Sequence, residues 1–253
     1  MTNQNQSGFL SNIPLVTKNL IIINVLCWVA SLTLPKMGID LVQWFGLHFP
    51  GTSNFYLFQF VTYMFMHDTH SIQHLFFNMF AVFMFGRVLE NVWGRKRFLI
   101  FYFITGIGAG IIQELVCLVR ILPVIQQLPS DAVDLVRNEG AAILNQGMNY
   151  TDQLMGDLNL LMNSVTIGAS GAVFGILLAF GMLFPNAPLY IMFVPIPIKA
   201  KYFVIGYGII ELFLGMSGGD GVAHFAHLGG MLFGFFIIRY WKKKDQNNGR
   251  YFY

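Results

Sequence analysis

The stretch from Leu15 to Leu34 carries a single charge, Lys18. A helix needs about 20 mainly apolar residues to cross the hydrocarbon core of a bilayer, and this chain repeats that pattern. Six segments qualify as candidates: Leu15 to Leu34, ending before Pro35; Ser71 to Val92; Arg97 to Leu118; Gly168 to the residue before Pro185; Ala200 to Met216; and Gly221 to Tyr240. The fourth and fifth are short. Composition closes off the alternatives. Charged residues make up 11% of the chain, against about 25% in soluble domains, which is too few to build a water-facing surface. Disorder requires low hydrophobicity, whereas here the mean hydropathy is +0.59. A transmembrane barrel would show short alternating segments, not long continuous runs. The expectation is an all-α membrane protein: a six-transmembrane-helix bundle with long outer loops after helices 1 and 3. Its parts are a 1–14 tail, a 15–240 membrane domain containing an extended 120–163 outer loop, and a 241–253 basic tail.

The net charge of +3 is too small to suggest nucleic acid. Cys27 and Cys117 both lie in apolar runs, so no disulfide framework is expected. The positive-inside rule orients the bundle. With the N-terminus cytoplasmic, Lys18, Arg95, Lys96, Arg97, Lys199, Lys201, Arg239, Lys242, Lys243, Lys244 and Arg250 all fall inside. Lys36, Arg120 and Arg137 fall outside, together with most of the acids. Both termini are then cytoplasmic, and the first segment reads as a retained anchor. Of the two long outer segments, Pro35 to His70 is aromatic-rich and suited to the headgroup region. The other, Arg120 to Asn163, is polar, and its middle, Asp131 to Asn145, reads as a helix with an apolar stripe at Val133, Val136, Ala141 and Leu144. Pro185 to Pro197 carries four prolines and reads as an extended interfacial connection.

Polar side chains inside a bilayer are costly, so each is a functional candidate. His74 and Asn78 lie four apart on one helix face near the outer end of the second segment. Ser170 lies near the outer end of the fourth, within Gly168-Ala169-Ser170-Gly171, and His227 lies about one and a half turns into the sixth. Four residues from three helices thus share a similar depth. A hydroxyl becomes a nucleophile when an adjacent base takes its proton, and His does this near neutral pH. His74, Asn78 and the Ser170 backbone N–H would supply donors to a developing oxyanion. No acid is placed as an obvious third member, so the reading is a Ser-His dyad. Gly171 and Gly175 in the fourth helix, and Gly230 and Gly234 in the sixth, are small-xxx-small pairs that permit close helix approach. His227, Gly230 and Gly234 share one stripe, and Gly106 and Gly110 repeat the pattern in the third helix.

These residues together resemble the rhomboid intramembrane serine proteases. Gly168-Ala169-Ser170-Gly171 is similar to that family's GxSG motif, Ala226-His227 with Gly230 and Gly234 to its AHxxGxxxG helix, and His74 with Asn78 to its HxxxN element. Gly86, Glu90 and Gly94 resemble the end of the HxxxN helix, and Pro195-Ile196-Pro197-Ile198-Lys199 resembles its cytoplasmic linker. The resemblance spans about residues 55–240, with Arg120 to Asn163 as an insertion. It implies a rhomboid-like bundle that cuts within or beside a substrate's transmembrane helix. Ser170 would be the nucleophile and His227 the base; His74, Asn78 and the Ser170 backbone would hold the oxyanion. Phe174 stands where the family packs an aromatic against the catalytic His, some members having Tyr there. The partners implied are the lipid bilayer and single-pass transmembrane substrates.

The remaining polar residues read more plainly. His67 and His70 are expected to be solvated or interfacial, and His224 to pack near the site entrance. Glu114 and Glu211 are expected to be satisfied by neighbours or by snorkelling. A metal site among the histidines lacks a membrane carboxylate and any HExxH pattern, so neither metal nor cofactor is expected. Ser217 to Gly221 reads as a flexible turn. Six spans with no organelle presequence lead to the expectation of a bacterial cytoplasmic membrane, with the active site facing the outer side.

Overall fold

The structure, a computed structural model, describes residues 12–190, 196–217 and 223–247. The expected turn residues Gly218 to Gly221 and Pro195 of the linker lie outside these ranges. The fold is an all-α membrane bundle. Among the described residues, four helical stretches are long and apolar enough to cross a bilayer: Leu15–Met37, Ile72–Trp93, Arg95–Ile125 and Ala200–Ser217. The first contains helix α1 (Leu15–Thr33) and a short 3₁₀ turn. The second is built from α4 (Ile72–Ala81), a π-helical turn (Val82–Gly86) and α5 (Arg87–Trp93). The outer segment between them forms only the short helices α2 (Leu41–Phe45) and α3 (Gln59–Thr62) and a 3₁₀ turn.

Three helices make the centre of the bundle: α6 (Arg95–Ile125), α9 (Ser170–Leu183) and α11 (His224–Asn247). Of the 14 residues of α9, nine are buried, so this short helix is walled in by protein. Its length matches the expected short fourth segment. Helix α10 (Ala200–Ser217) is peripheral and buries only Ala200, Val204, Glu211 and Gly215. The connection before α10 contains an antiparallel pair of two-residue strands, β1 (Pro188–Leu189) and β2 (Ile198–Lys199).

Two boundaries differ from expectation for a physical reason. The third predicted span ends at Leu118, yet α6 continues through Pro123 to Ile125. Ile121 is buried there in a second apolar core with Phe49, Val133, Val136, Leu158 and Met162. This core packs the outer insertion, which holds α7 (Ser130–Asn145) and a helix not anticipated, α8 (Gln153–Asn163). Asn163 Nδ2 donates to the Val136 carbonyl at 3.0 Å and Asn159 Nδ2 to Asn149 Oδ1 at 2.9 Å, so the buried amides there are paired. The second boundary is the basic tail. Helix α11 runs to Asn247, and Arg97 makes a two-pronged bond to Asp245 at 2.8 and 2.7 Å, holding the first part of the tail against the bundle.

Buried polar groups tie the remaining segments together. Glu90, 3% exposed, accepts from the N–H groups of Val16 and Thr17 and from the Thr17 hydroxyl at 3.0, 2.7 and 2.8 Å. A helix leaves its first N–H groups without intrahelical partners, and Glu90 satisfies two of them on α1 while placing negative charge at the positive end of the helix dipole. Gln59 is fully buried and plays the same part in the outer loop. Its amide oxygen accepts from the His48 and Tyr56 N–H groups, and its Nε2 donates to the Trp44 and Asn54 carbonyls. Glu90→Ala removes three charge-assisted bonds and is expected to cost roughly 2 kcal/mol or more. A lowered melting midpoint in detergent, with α-helical content lost first near the N-terminus, is the expected result.

Candidate active site

Ser170 is the first residue of α9, at a helix start whose N–H groups have no acceptor within the helix. The chain reaches it through Gly168, which has φ of +120° and donates its N–H to the Tyr63 carbonyl at 3.0 Å. That conformation suits glycine. A side chain would also collide: a Cβ on Gly168 would lie 2.8 Å from His74 Nε2 and 3.6 Å from Ser170 Oγ. The outer loop braces this approach again through paired backbone bonds between Leu47 and Thr166, both 2.9 Å. Tyr63 is itself held by donating its hydroxyl to the Gly106 carbonyl at 2.6 Å.

His227 Nε2 lies 2.8 Å from Ser170 Oγ. Glycine contact between α9 and α11 creates this separation. A Cβ on Gly230 would overlap the Gly171 carbonyl, and one on Gly234 would sit 3.4 Å from Gly175 Cα. The two expected glycine stripes therefore do face one another. Gly106 and Gly110, by contrast, do not serve a helix–helix seam. A Cβ at Gly106 would strike Met64, and at Gly110 would meet Leu47, Phe60 and Tyr63, so these glycines admit the outer loop. The residues of α6 that face α9 are Thr105 and Ala109, which any Cβ on Gly175 or Gly171 would meet. Phe174 lies flat on the His227 ring, with centroids 4.2 Å apart and planes 5° from parallel.

His74 Nδ1 accepts from the Asp68 N–H at 3.4 Å. In a neutral ring the proton then resides on Nε2, the nitrogen that borders Gly168. Asn78 donates Nδ2 to the His74 carbonyl at 2.7 Å, which spends one of its amide protons on its own helix and leaves the second. The structure brings Ser170, His227, His74 and the supporting residues Gly168, Gly171, Phe174, Gly230 and Gly234 together, with Asn78 one turn behind His74.

One of the remaining polar side chains differs from expectation. His67 is fully buried, not solvated, with its ring centroid 5.1 Å from that of His74 and no hydrogen-bond partner on either nitrogen among the described residues. His70 is exposed, as expected for a loop position. Glu211 is satisfied by neighbours, as expected, and those neighbours are two histidines. It is 4% exposed, and its Oε2 lies 2.6 Å from His224 Nδ1 and 2.8 Å from His227 Nδ1. The dyad reading, which rested on no acid being placed nearby, gives way to a row of Ser170, His227 and Glu211. The same finding supplies the carboxylate that the sequence reading found missing from a metal site. Glu211, His224 and His227 present ligand atoms within 4.8 Å of one another. In the structure those three atoms are engaged in mutual hydrogen bonds. Glu211 lies on a separate helix sixteen residues from His227. Its helical phase relative to Ala200, Val204 and Gly215, the other inward positions of α10, was the only signal in the sequence.

Fold and site define a helical integral membrane protein with a serine–histidine pair at the mouth of a buried helix. The model of the family described as eukaryotic integral membrane protein (DUF1751) matches residues 18–251, and the chain belongs to that family. No curated protein matches it. The family corrects the expected bacterial cytoplasmic membrane, since it points to a eukaryotic one. Span number and Lys/Arg placement answer to bilayer thickness and insertion, which bacteria and eukaryotes share, so they do not distinguish the source.

Two outcomes follow from this geometry. Gly230→Ala forces α9 and α11 apart at the Gly171 carbonyl and is expected to cost about 1–3 kcal/mol, read as a lowered melting midpoint. His67 has its pKa pushed down to about 3 by burial and, secondarily, by neighbouring His74. The unfolded chain therefore binds a proton there below about pH 6.5 that the folded chain refuses, so stability falls as pH drops from about 6.5 toward 3. His67→Phe should remove up to about 1.4 kcal/mol per pH unit of that slope, measured by denaturation between pH 7 and about 4.5.

Proposed function

We propose that this protein is an intramembrane serine endopeptidase of the rhomboid type, cutting transmembrane segments of single-pass membrane proteins. The observation that carries the reading is the 2.8 Å contact between Ser170 Oγ and His227 Nε2. Ser170 Oγ attacks the substrate carbonyl carbon while its proton passes to His227 Nε2. The C–O bond formed leaves negative charge on the carbonyl oxygen, which the His74 Nε2–H, the second Asn78 amide proton and the Ser170 backbone N–H receive. Collapse breaks the peptide C–N bond, and the amine leaves with the proton from His227. Water, activated by the same ring, then hydrolyses the acyl-enzyme. No cofactor or metal takes part in these steps.

A second reading is a catalytically silent binder of membrane proteins on the same scaffold. The family is described by membrane residence alone, which is compatible with either reading. Labelling of detergent-purified protein with a fluorescent fluorophosphonate separates the two. The peptidase reading expects wild type to label, Ser170→Ala and His227→Ala to lose all label, and wild type alone to cut a helical transmembrane substrate. His74→Ala should slow cleavage about 10²–10³-fold, the usual loss for one oxyanion donor. Folded wild type that neither labels nor cuts supports the silent binder.

A further inference from the structure

Glu211 belongs to no motif that suggested the site, yet it is the buried carboxylate nearest the proposed base. It sits on α10, whose end is held by Arg120: the guanidinium donates to the Gly215 carbonyl at 2.6 Å and lies over the Phe225 ring at 5.1 Å. An ionised carboxylate only accepts hydrogen bonds. With Glu211 ionised and its Oε2 at 2.6 and 2.8 Å from His224 Nδ1 and His227 Nδ1, both nitrogens carry protons. A neutral His227 protonated at Nδ1 has its lone pair on Nε2, the atom 2.8 Å from Ser170 Oγ. The opposite tautomer would present an N–H to Ser170 and could take no proton from it. Phe174, stacked flat on the ring, leaves His227 free to bond only in its own plane. His224 anchors the same carboxylate oxygen, so two rings set the position of one atom.

On the reading of Ser170 and His227 as an acyl-transfer pair, we propose that Glu211 is a positioning residue that makes a Ser170–His227–Glu211 triad, holding His227 in the tautomer able to accept the serine proton. When that proton arrives, the imidazolium forms against a carboxylate shielded from water, where the attraction is strong. Among the described residues, the charged and titratable groups facing His227 are Glu211 from α10, His224 from α11 and His74 from α4.

The test compares fluorophosphonate labelling rates of wild type, Glu211→Gln and Glu211→Asp from pH 5 to about 9, with melting midpoints recorded for each. Glu211→Gln is expected to label about 10³–10⁴-fold more slowly, the scale of a lost orienting carboxylate, and its pH midpoint should move to lower pH because the imidazolium loses its partner. Glu211→Asp should recover part of the rate. A folded Glu211→Gln that labels within about threefold of wild type at an unchanged midpoint overturns the inference. So does a wild-type rate that responds to EDTA, which would assign the three atoms to a metal. ¹⁵N NMR of histidine-labelled wild type above the His227 pKa decides the case even if the variants fail to fold: an Nδ1–H tautomer is expected, and Nε2–H overturns it. Wild type that shows the Nδ1–H tautomer but never labels removes the peptidase reading while leaving the Glu211–His227 contact intact.

Discussion

The contact between the backbones of α9 and α11 at Gly171 and Gly230 governs the rest of this structure. Any side chain at Gly230 would occupy the space of the Gly171 carbonyl. Lipid tails are as apolar as leucine, so helices in a bilayer gain little from hiding apolar surface and instead associate through close packing and polar bonds. Glycine supplies that closeness here, and the Ser170–His227 contact depends on it. Ser170 precedes Gly171 by one residue and His227 precedes Gly230 by three. The depth and rotation of the seam therefore set the 2.8 Å between hydroxyl and imidazole. Thr105 and Ala109 of α6 close the other side of α9, and the glycine seam cannot open without displacing them.

Around this seam the protein spends its few polar side chains on joining segments distant in sequence. Glu90 reaches the start of α1 across more than seventy residues, Gln59 gathers four backbone groups of the outer loop, and Arg120 spans from α6 to the end of α10. Glu90 and Gln59 make their bonds where water is scarce, so an unpaired partner there would be expensive. The π-helical turn between α4 and α5 belongs to the same design. A wider turn shifts the helix face, and the one span presents His74 toward Ser170 near one end and Glu90 toward α1 near the other. Such turns recur near functional sites.

Much of this was legible in the chain. Continuous apolar runs gave the all-α membrane class because bilayer thickness imposes one length on every span. The shared depth of Ser170, His227, His74 and Asn78 followed from counting residues from the span ends. What escaped was whatever depended on helix rotation and tertiary packing. Glu211 reads as one acid in an apolar helix until α10 is docked and its carboxylate meets His224 and His227. Gly106 and Gly110 have the spacing of a helix seam yet face a loop, since spacing identifies a smooth face without saying what lies against it. The extra turns of α6 exist because Ile121 enters a second core contributed by α7 and α8, a contact between segments that no local pattern announces.

Helix α10 shows the bundle only a thin inward stripe, while Tyr202, Ile205, Ile209, Phe213 and Met216 face outward. Those outward side chains are apolar, so in a bilayer they meet acyl chains. The helix that carries the carboxylate beside His227 is thus set between lipid and protein. Bilayer thickness and lateral pressure act directly on the geometry of that polar row, so the membrane is a structural component of the site as well as its solvent.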